Sequence, residues 1–205
     1  MKRVVIIGAG AAGCFCAIEL RRRDPGLGVT VLEAGAKPMA KLAVTGGGRC
    51  NFTNSFEGIV RLEEAYPRGA QLMKRAMRVF SNDDTMAWFQ REGIPYVIQE
   101  DRCVFPKSQD AMQIVRTLEN LMRRLGVELR CEVRVNAVSS TDGSFTLDTS
   151  AGTLSADSVI VTTGGGALKL LEPLELQIEK PVPSLFTLKI NDDGLRSLMG
   201  ALAPD

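Results

Sequence analysis

Histidine is absent from this chain of 205 residues, and its absence removes the most common routes to side-chain catalysis. Without histidine the chain can hold neither a Ser-His-Asp triad nor a Cys-His pair. The most common metal ligand is missing as well, and we predict no metal site. Chemistry must therefore come from a bound cofactor, or from acids, lysines, tyrosines and thiols.

A surplus of charge and a long apolar run are also missing. The formal net charge is +1 at pH 7, which gives no reason to expect a nucleic-acid or anionic-membrane partner. No stretch approaches the roughly 20 apolar residues of a membrane span. The basic start and the apolar residues 4–18 have features of a secretion leader, but glycines interrupt the run and the charged residues 19–24 follow it. The length and composition are those of one or two globular domains.

The five cysteines include no Cys-x-x-Cys pair, which is the usual spacing of a zinc or redox site. Cys14 and Cys16 lie two positions apart on a predicted helix, so their side chains point to different faces. An odd number of cysteines without a leader favours reduced thiols and a cytoplasmic location.

The amino-terminal segment alternates a strand, a glycine-rich turn, a helix and a second strand. The first strand is followed by Gly8, Gly10 and Gly13. The second strand is followed by Glu33. Gly8 allows a tight turn, Gly10 lets a diphosphate approach the backbone, and Gly13 lets the helix pack on the strand. Free N–H groups at the helix start would face the phosphates, and Glu33 would accept hydrogen bonds from ribose hydroxyls. This order predicts a dinucleotide-binding unit, and the carboxylate argues against NADP.

A second glycine-rich segment lies between residues 36 and 55. It contains Lys41 and the run Thr-Gly-Gly-Gly-Arg-Cys-Asn-Phe-Thr-Asn, which begins at Thr45. Three successive glycines favour neither helix nor strand, so we predict a loop whose backbone approaches a ligand closely. Arg49 adds a permanent cation. A flexible linker is the alternative interpretation, and the Arg-Cys-Asn sequence beside the glycines argues against it.

The rest of the chain predicts helices and strands in alternation, followed by a loop-rich stretch with one strand at 185–190. A strand at 159–161 ends in the glycine cluster 162–166, and ligands of open parallel sheets bind where strands end, so we expect this cluster beside the first. The other predicted elements are helices at 69–80, 83–91 and 111–125 (the last capped by Ser108), a β-pair at 96–99 and 103–105, a strand at 127–129, and a three-stranded meander within 133–154.

The segment from Lys41 to Asn54 resembles the signature of the FAD-dependent oxidoreductases grouped as the aminoacetone-oxidase or BaiN-like family. Shorter matching pieces are Val104–Ser108, Thr163–Gly165 and Pro183–Thr187. The resemblance implies an α/β fold: a Rossmann-like, two-dinucleotide-binding FAD domain with a parallel sheet and a β-meander. We expect this domain over residues 1–190. Residues 191–205 are then the start of an inserted substrate domain or a tail, so the chain is truncated there and corresponds to the amino-terminal half of the family.

The resemblance also implies which residues bind FAD. They are Gly8, Gly10, Ala11, Ala12 and Gly13 for the pyrophosphate; Glu33 and Ala34 for the adenosine ribose; Lys41 for the same nucleotide half; Gly46, Gly47, Arg49, Cys50 and Asn51 for the ribityl chain and flavin; Val135, in the strand after the long helix, for adenine; and Thr163, Gly164 and Gly165 to close the site. No catalytic residue is predicted. Cys50 has no partner near it in sequence, which favours a packing role over a redox role.

The implied function is that of a flavoprotein oxidoreductase. The flavin would be reduced by NAD(P)H and reoxidised by a small organic substrate or O₂. An alternative of a different class is a non-catalytic FAD-binding fragment that lacks the parts covering the flavin and binding the substrate. Direct NAD binding by residues 8–33 is a third interpretation. The sequence predicts neither the identity of the substrate nor the oligomeric state.

Overall fold

The computed structural model describes residues 1–164, 168–179 and 191–197. The strands are β1 (Arg3–Ile7), β2 (Gly28–Leu32), β3 (Thr53–Asn54), β4 (Tyr96–Ile98), β5 (Cys103–Pro106), β6 (Glu128–Arg130), β7 (Val135–Thr141), β8 (Ser144–Thr149), β9 (Gly152–Ala156) and β10 (Ser158–Val161). The helices are α1 (Ala11–Arg23), α2 (Thr45–Gly48), α3 (Leu62–Ala65), α4 (Ala70–Val79), α5 (Asn82–Arg91), α6 (Ala111–Arg124) and α7 (Asp193–Ser197). Residues Leu42–Val44 and Leu168–Leu174 form 3₁₀ helices.

A parallel sheet with the strand order β10-β1-β2-β6 lies at the centre of the fold. Its middle strand, β1, is an unbroken apolar run because both of its faces are covered. Val4 and Ile6 belong to a core shared with α1 and α6, whereas Val5 and Ile7 belong to a second core on the opposite face. The α/β fold with a Rossmann-like parallel sheet is therefore confirmed.

The second core is closed by an antiparallel meander of β7, β8 and β9, as the sequence predicted. Leu147 on β8 is fully buried there against the sheet. A smaller antiparallel sheet has the order β3-β5-β4. One placement differs from our expectation: the strand that follows α6 directly is β6, and Val135 begins β7, the first strand of the meander.

Two of the three predicted helices of the middle region, α5 and α6, begin at side-chain caps. Ser81 caps α5 in a capping box, because its hydroxyl accepts a hydrogen bond from the backbone N–H of Asp84 while the Asp84 carboxylate accepts one from the Ser81 N–H. The cap of α6 is Asp110 rather than the predicted Ser108, since the Asp110 carboxylate accepts from the N–H of Met112 at 2.8 Å. The Ser108 hydroxyl instead donates to the Gln113 side chain.

Several sequence predictions fall outside the described residues, namely Gly165, Gly166, the matching piece Pro183–Thr187 and the strand at 185–190. The division into a domain at 1–190 and a segment at 191–205 stays a prediction. Within the part of the chain that the structure describes, none of the helices has the length and apolar character needed to cross a bilayer. Among the same residues no group of histidine, cysteine or acidic side chains is arranged to hold a metal ion. All five cysteines are free thiols.

Candidate nucleotide-binding site

The glycines after β1 have three different surroundings. Gly8 has a φ of +104°, and a Cβ built on it would lie 2.8 Å from the carbonyl oxygen of Thr162. A Cβ on Gly13 would lie only 2.0 Å from the carbonyl oxygen of Gly8. A Cβ on Gly10 would meet no atom within 4 Å, because Gly10 faces open space. Gly8 and Gly13 are thus required by packing, and Gly10 leaves room for a ligand.

The amino-terminal end of α1 is available to an anion. Gly10 is the N-cap residue of α1 and makes no side-chain capping hydrogen bond. The first turn of α1 contains no acidic residue. Ala11 and Ala12 are exposed and line the same space as Gly10. Backbone N–H groups in the first turn of a helix have no partner within that helix, and the helix dipole favours negative charge beside them.

Glu33 joins the end of β2 to the glycine loop. One carboxylate oxygen accepts from the backbone N–H of Ala9 at 2.9 Å, and the other accepts from the N–H of Gly35 at 2.7 Å. A carboxylate oxygen has two lone pairs, so each keeps capacity for a ligand hydroxyl. The bond to Ala9 was not predicted, because it depends on how two loops meet.

The turn formed by α2 and the residues after it has a left-handed backbone. Gly46 and Gly47 have φ values of +57° and +68°, and Gly48 and Cys50 have +82° and +64°. The N–H of Cys50 donates to the carbonyl of Thr45 at 3.0 Å, which closes the turn. The predicted glycine-rich turn is thus present, with backbone conformations that disfavour right-handed helix, whereas its approach to a ligand stays a prediction.

Cys50 and Asn51 lie at the end of this turn and face the cavity described below. The Cys50 thiol is 2% exposed, and burial raises its pKa, while a hydrogen bond involving Thr45 acts in the opposite direction. A thiol that stays protonated at neutral pH is a poor nucleophile. This placement supports the packing role for Cys50.

Arg49 does not lie on the cavity wall. Its guanidinium carbon stands 4.3 Å from the centre of the Phe105 ring, and its Nε donates to the carbonyl of Gly46 at 3.1 Å. Its Nη1 donates to the Gln109 side chain at 3.4 Å. None of these three partners lines the cavity either. The side chain of Arg49 is thus directed to partners outside the cavity wall, and its approach to a flavin stays a prediction.

The second glycine cluster lies beside the first, as predicted. The Thr162 hydroxyl donates to the carbonyls of Ile7 and Gly8 at 3.0 and 2.8 Å, and the Thr162 N–H donates to that of Ile7 at 2.8 Å. Thr163 and Gly164 follow on the wall of the same cavity, and Gly165 is outside the described residues. The parallel pairing of β1 with β10 brings these two strand ends together.

Most of these parts border one cavity of about 860 Å³ at the carboxyl ends of the central strands. The volume falls in the range of small-molecule and cofactor sites. The predicted residues on its wall are Gly8, Gly10, Ala11, Ala12, Glu33, Ala34, Lys41, Cys50, Asn51, Val135, Thr163 and Gly164. Gly13 packs behind the glycine loop, and Gly46, Gly47 and Arg49 also lie off the wall.

Two features of the wall were missed by the sequence reading. The first is a pair of cations, Lys37 and Arg134, which lie on the wall together with Lys41. Among the described residues that line the cavity, Glu33 is the one acidic residue. The second is an aromatic region formed by Phe15, Phe52, Phe80, Trp88 and Phe89. Trp88 belongs to the core at 2% exposure, and it also borders the cavity.

Comparison with known proteins identifies similar sequences. The family described as HI0933-like protein Rossmann domain matches residues 2–171. The chain is 30% identical over 200 residues to the 3-dehydro-bile acid delta(4,6)-reductase of Clostridium scindens, a match that covers 93% of this chain and 48% of that protein. It is 31% identical over 161 residues to the ribosomal RNA dihydrouridine synthase of Escherichia coli, covering 78% of this chain and 39% of that protein. The chain thus spans about half, or less, of the length of these relatives.

Solved structures share the fold. The glycine oxidase of Geobacillus kaustophilus has a TM-score of 0.50 at 17% identity, with 86% of this chain and 60% of that chain covered. The THI4 protein of Thermovibrio ammonificans has a TM-score of 0.55 at 12% identity, with 85% and 61% covered. At these identities the likeness concerns the fold.

Proposed function

The chain belongs to the HI0933-like family of FAD-binding oxidoreductases, and we propose that it binds FAD in the cavity at the carboxyl ends of its central strands. One observation carries the proposal. The uncapped start of α1, the open Cβ position of Gly10, the carboxylate of Glu33 and the turn at 45–51 all border the same cavity. A dinucleotide needs these groups together, because it combines a diphosphate, ribose hydroxyls and flat rings.

The residues present fit the chemistry of the nucleotide half. The N–H groups at Ala11 and Ala12 would bind the diphosphate, with Lys41 adding positive charge nearby. Glu33 would accept from ribose hydroxyls with the lone pairs that Ala9 and Gly35 leave free. The backbone around Val135, at the start of the meander, would border the adenine.

On the flavin half, Cys50, Asn51 and Thr163 would form the polar boundary, and the aromatic region would exclude water. When bound, the flavin supplies the hydride and electron transfer that no side chain of this chain provides. The residues of the chain hold and orient the group, and we assign no proton transfer to any of them. NADP as the primary ligand is disfavoured because a 2′-phosphate would meet the Glu33 carboxylate.

For the reaction, we propose reduction by NAD(P)H and oxidation by a small organic substrate or O₂, in the cytoplasm. The names of the relatives favour one class of organic substrate. One relative is named for the reduction of a delta(4,6) bile acid, and the other for the synthesis of dihydrouridine, which is uridine with one ring double bond saturated. An activated carbon–carbon double bond is therefore the acceptor that we propose to test first.

Two alternatives remain within the same framework. The first is an FAD-binding part without catalysis of its own, which is favoured by the coverage of only 48% of the bile-acid relative. The second is an RNA substrate, which is favoured by the ribosomal RNA named in two relatives. The net charge of +1 gives the chain as a whole no large electrostatic attraction for a polyanion, so we place the small organic substrate ahead of RNA.

The test is FAD titration of the purified chain, followed by flavin absorbance and fluorescence, for the wild type and for Gly10→Ala. We expect near-stoichiometric binding by the wild type. Gly10→Ala is expected to melt like the wild type yet bind FAD at least about tenfold more weakly, because the added methyl takes the place of the diphosphate. Gly26→Ala, in the turn between α1 and β2, is the matched control and should bind normally. Equal affinity of Gly10→Ala and wild type would refute this site.

A second stage tests the reaction. NAD(P)H is added anaerobically to the FAD-loaded protein, and the bleached flavin is then mixed with O₂, an α,β-unsaturated ketone or uridine-containing RNA. Reoxidation by the ketone supports the proposed substrate class, whereas reoxidation by RNA alone supports the second alternative. Bound flavin that NAD(P)H fails to bleach would favour the non-catalytic alternative.

A further inference from the structure

Arg49 is the centre of a contact set that lies behind the cavity wall. Its guanidinium lies over Phe105, a ring that is 3% exposed on β5, with 4.3 Å between guanidinium carbon and ring centre. The same side chain donates to the Gly46 carbonyl at 3.1 Å and to the Gln109 side chain at 3.4 Å. One residue therefore connects the glycine turn, β5 and the segment that leads into α6.

Phe105 contacts the turn from two directions. Its face takes the Arg49 guanidinium, and its edge lies so close to Gly46 that a Cβ there would stand 2.8 Å from the ring carbon Cε1. Gln109 is fixed in turn, since its amide nitrogen donates to the carbonyl of Pro106 at 2.9 Å. Two of the three partners of Arg49, Phe105 and Gln109, are thus held by β5 and its extension rather than by the turn itself.

The turn needs such an external support. Gly46, Gly47 and Gly48 have no side chains, and glycine has more conformational freedom to lose on ordering than any other residue. Within the turn, the bond from Cys50 N–H to Thr45 and a longer one of 3.4 Å from Arg49 N–H to Gly46 restrain the backbone. Cys50 and Asn51, which border the cavity, follow directly after Arg49.

We propose that Arg49 is a positioning residue: it fixes the left-handed turn against Phe105 and Gln109, and so holds Cys50 and Asn51 on the wall of the FAD site without contacting FAD. The part that concerns FAD rests on the proposed function, whereas the part that concerns the turn does not. Lysine cannot replace arginine in this role, because only a planar guanidinium stacks on a ring while its Nε donates sideways.

The experiment compares the wild type, Arg49→Lys, Phe105→Leu and the double variant. Hydrogen–deuterium exchange of the apo protein reports the turn at 45–51, and FAD titration with the visible spectrum of the bound flavin reports the site. Arg102→Lys is the control, since Arg102 is an exposed arginine that pairs with Glu57 at 2.7 Å.

We expect faster exchange confined to the turn in Arg49→Lys, and FAD binding weakened about tenfold with a shifted flavin band. The two single changes should be non-additive, because each breaks the same stacked pair. Arg102→Lys should match the wild type in all three measurements.

Other outcomes overturn the proposal. Unchanged exchange in the apo turn together with weaker FAD binding would make Arg49 a direct cofactor contact. Faster exchange with unchanged FAD affinity and spectrum would mean that the turn does not position the site. Failure of the wild type to bind FAD would instead remove the proposed function, and the exchange comparison alone would then decide whether Arg49 holds the turn.

Discussion

At the scale of single residues, the glycines of one motif act by different physical means. Gly13 is buried, and the carbonyl oxygen of Gly8 occupies the space that a side chain would need. Gly10 borders the cavity and has free space instead. The same substitution therefore tests folding at one position and binding at the other.

Gly13→Ala is expected to destabilise the apo protein by about 3 kcal/mol, because a Cβ 2.0 Å from the Gly8 carbonyl forces α1 away from β1. For a chain of this size the midpoint of thermal unfolding should fall by roughly 6–12 °C. Circular dichroism during heating measures it, with Gly10→Ala as the matched control. A Gly13→Ala protein that melts with the wild type would show that the close packing of α1 on β1 is not present in solution.

Cys14 is expected to make stability depend on pH in the alkaline range. Its thiol is fully buried and donates to the carbonyl of Ala9, and burial, followed by the nearby charges of Glu119, Glu33 and Cys131, raises its pKa to about 12. The folded state therefore holds this proton when the unfolded state has lost it. The protonated Cys14 thiol therefore makes its full contribution to the free energy of unfolding below about pH 9. This contribution is lost as the pH rises towards 12, by at most about 1.4 kcal/mol per pH unit.

Urea unfolding at a series of pH values, with reductant present, measures this dependence. Cys14→Ala should flatten the alkaline decline in the free energy of unfolding. Cys16→Ala is the control, since the Cys16 thiol, whose pKa is also raised by burial, is only half-buried. If both variants decline as steeply as the wild type, the Cys14 thiol does not titrate as the structure implies.

Sequence reasoning worked at single residues where the cause is local. The need for glycine at 8 and 13 and the irregular backbone of the three glycines after Thr45 follow from backbone sterics, and both are observed. The partners of Arg49 could not be predicted, because Phe105 and Gln109 are distant in the chain and meet it only through folding. Glu33 was assigned to the ribose, and its bond to Ala9 was missed for the same reason.

At the scale of elements, hydrophobic pattern located the longer strands and helices but missed the short β3 and α3. Cap chemistry was only a partial guide to where the helices begin. The central strands are apolar on successive positions because both faces are buried, and the sequence shows this directly. Two residues that can cap a helix, Ser108 and Asp110, lie within three positions before the start of α6. The sequence pattern favoured Ser108, whereas the cap is Asp110. The Ser108 hydroxyl donates locally to Gln113, while the Asp110 carboxylate accepts from the N–H of Met112.

Ser81→Ala is expected to lower the free energy of unfolding by about 1 kcal/mol, because it leaves the Asp84 N–H without its capping acceptor. Thermal unfolding should shift by roughly 2–4 °C. Ser140→Ala, at an exposed position of β7, is the control and should stay within about 0.5 kcal/mol of wild type. A Ser81→Ala protein as stable as the control variant would mean that the start of α5 is held by packing alone.

At the scale of the whole molecule, the cavity is built by elements from both faces of one sheet. Gly8, Glu33 and Thr162 follow the strands themselves, Phe15 and Trp88 come from the first face, and the meander brings Val135 from the second. The resemblance implied this arrangement for the nucleotide half. The resemblance did not imply the aromatic region. The local sequence pattern does not distinguish an aromatic side chain of the core from one that also borders a cavity.

The two cores are joined through β1, so we expect the meander and the βαβ unit to unfold together. Leu147 is fully buried in the core under the meander, whereas Trp88, the one tryptophan of the chain, lies in the core on the opposite face. Leu147→Ala should cost about 2–5 kcal/mol through lost burial and the cavity left behind. Val4 and Ile6 of one core lie on the same strand as Val5 and Ile7 of the other. The loss of free energy of unfolding should therefore be the same when it is measured at the core that contains Trp88.

Tryptophan fluorescence and far-ultraviolet circular dichroism during urea unfolding of Leu147→Ala provide the measurement. We expect both midpoints to fall by the same amount, because the fluorescence reports one core while the substitution lies in the other. Val60→Ala, at a position that is 91% exposed, should move neither midpoint. A fluorescence midpoint unchanged from the wild type, beside an earlier loss of dichroism, would mean that the meander unfolds alone. The cavity wall around Val135 would then be the less stable part of the site.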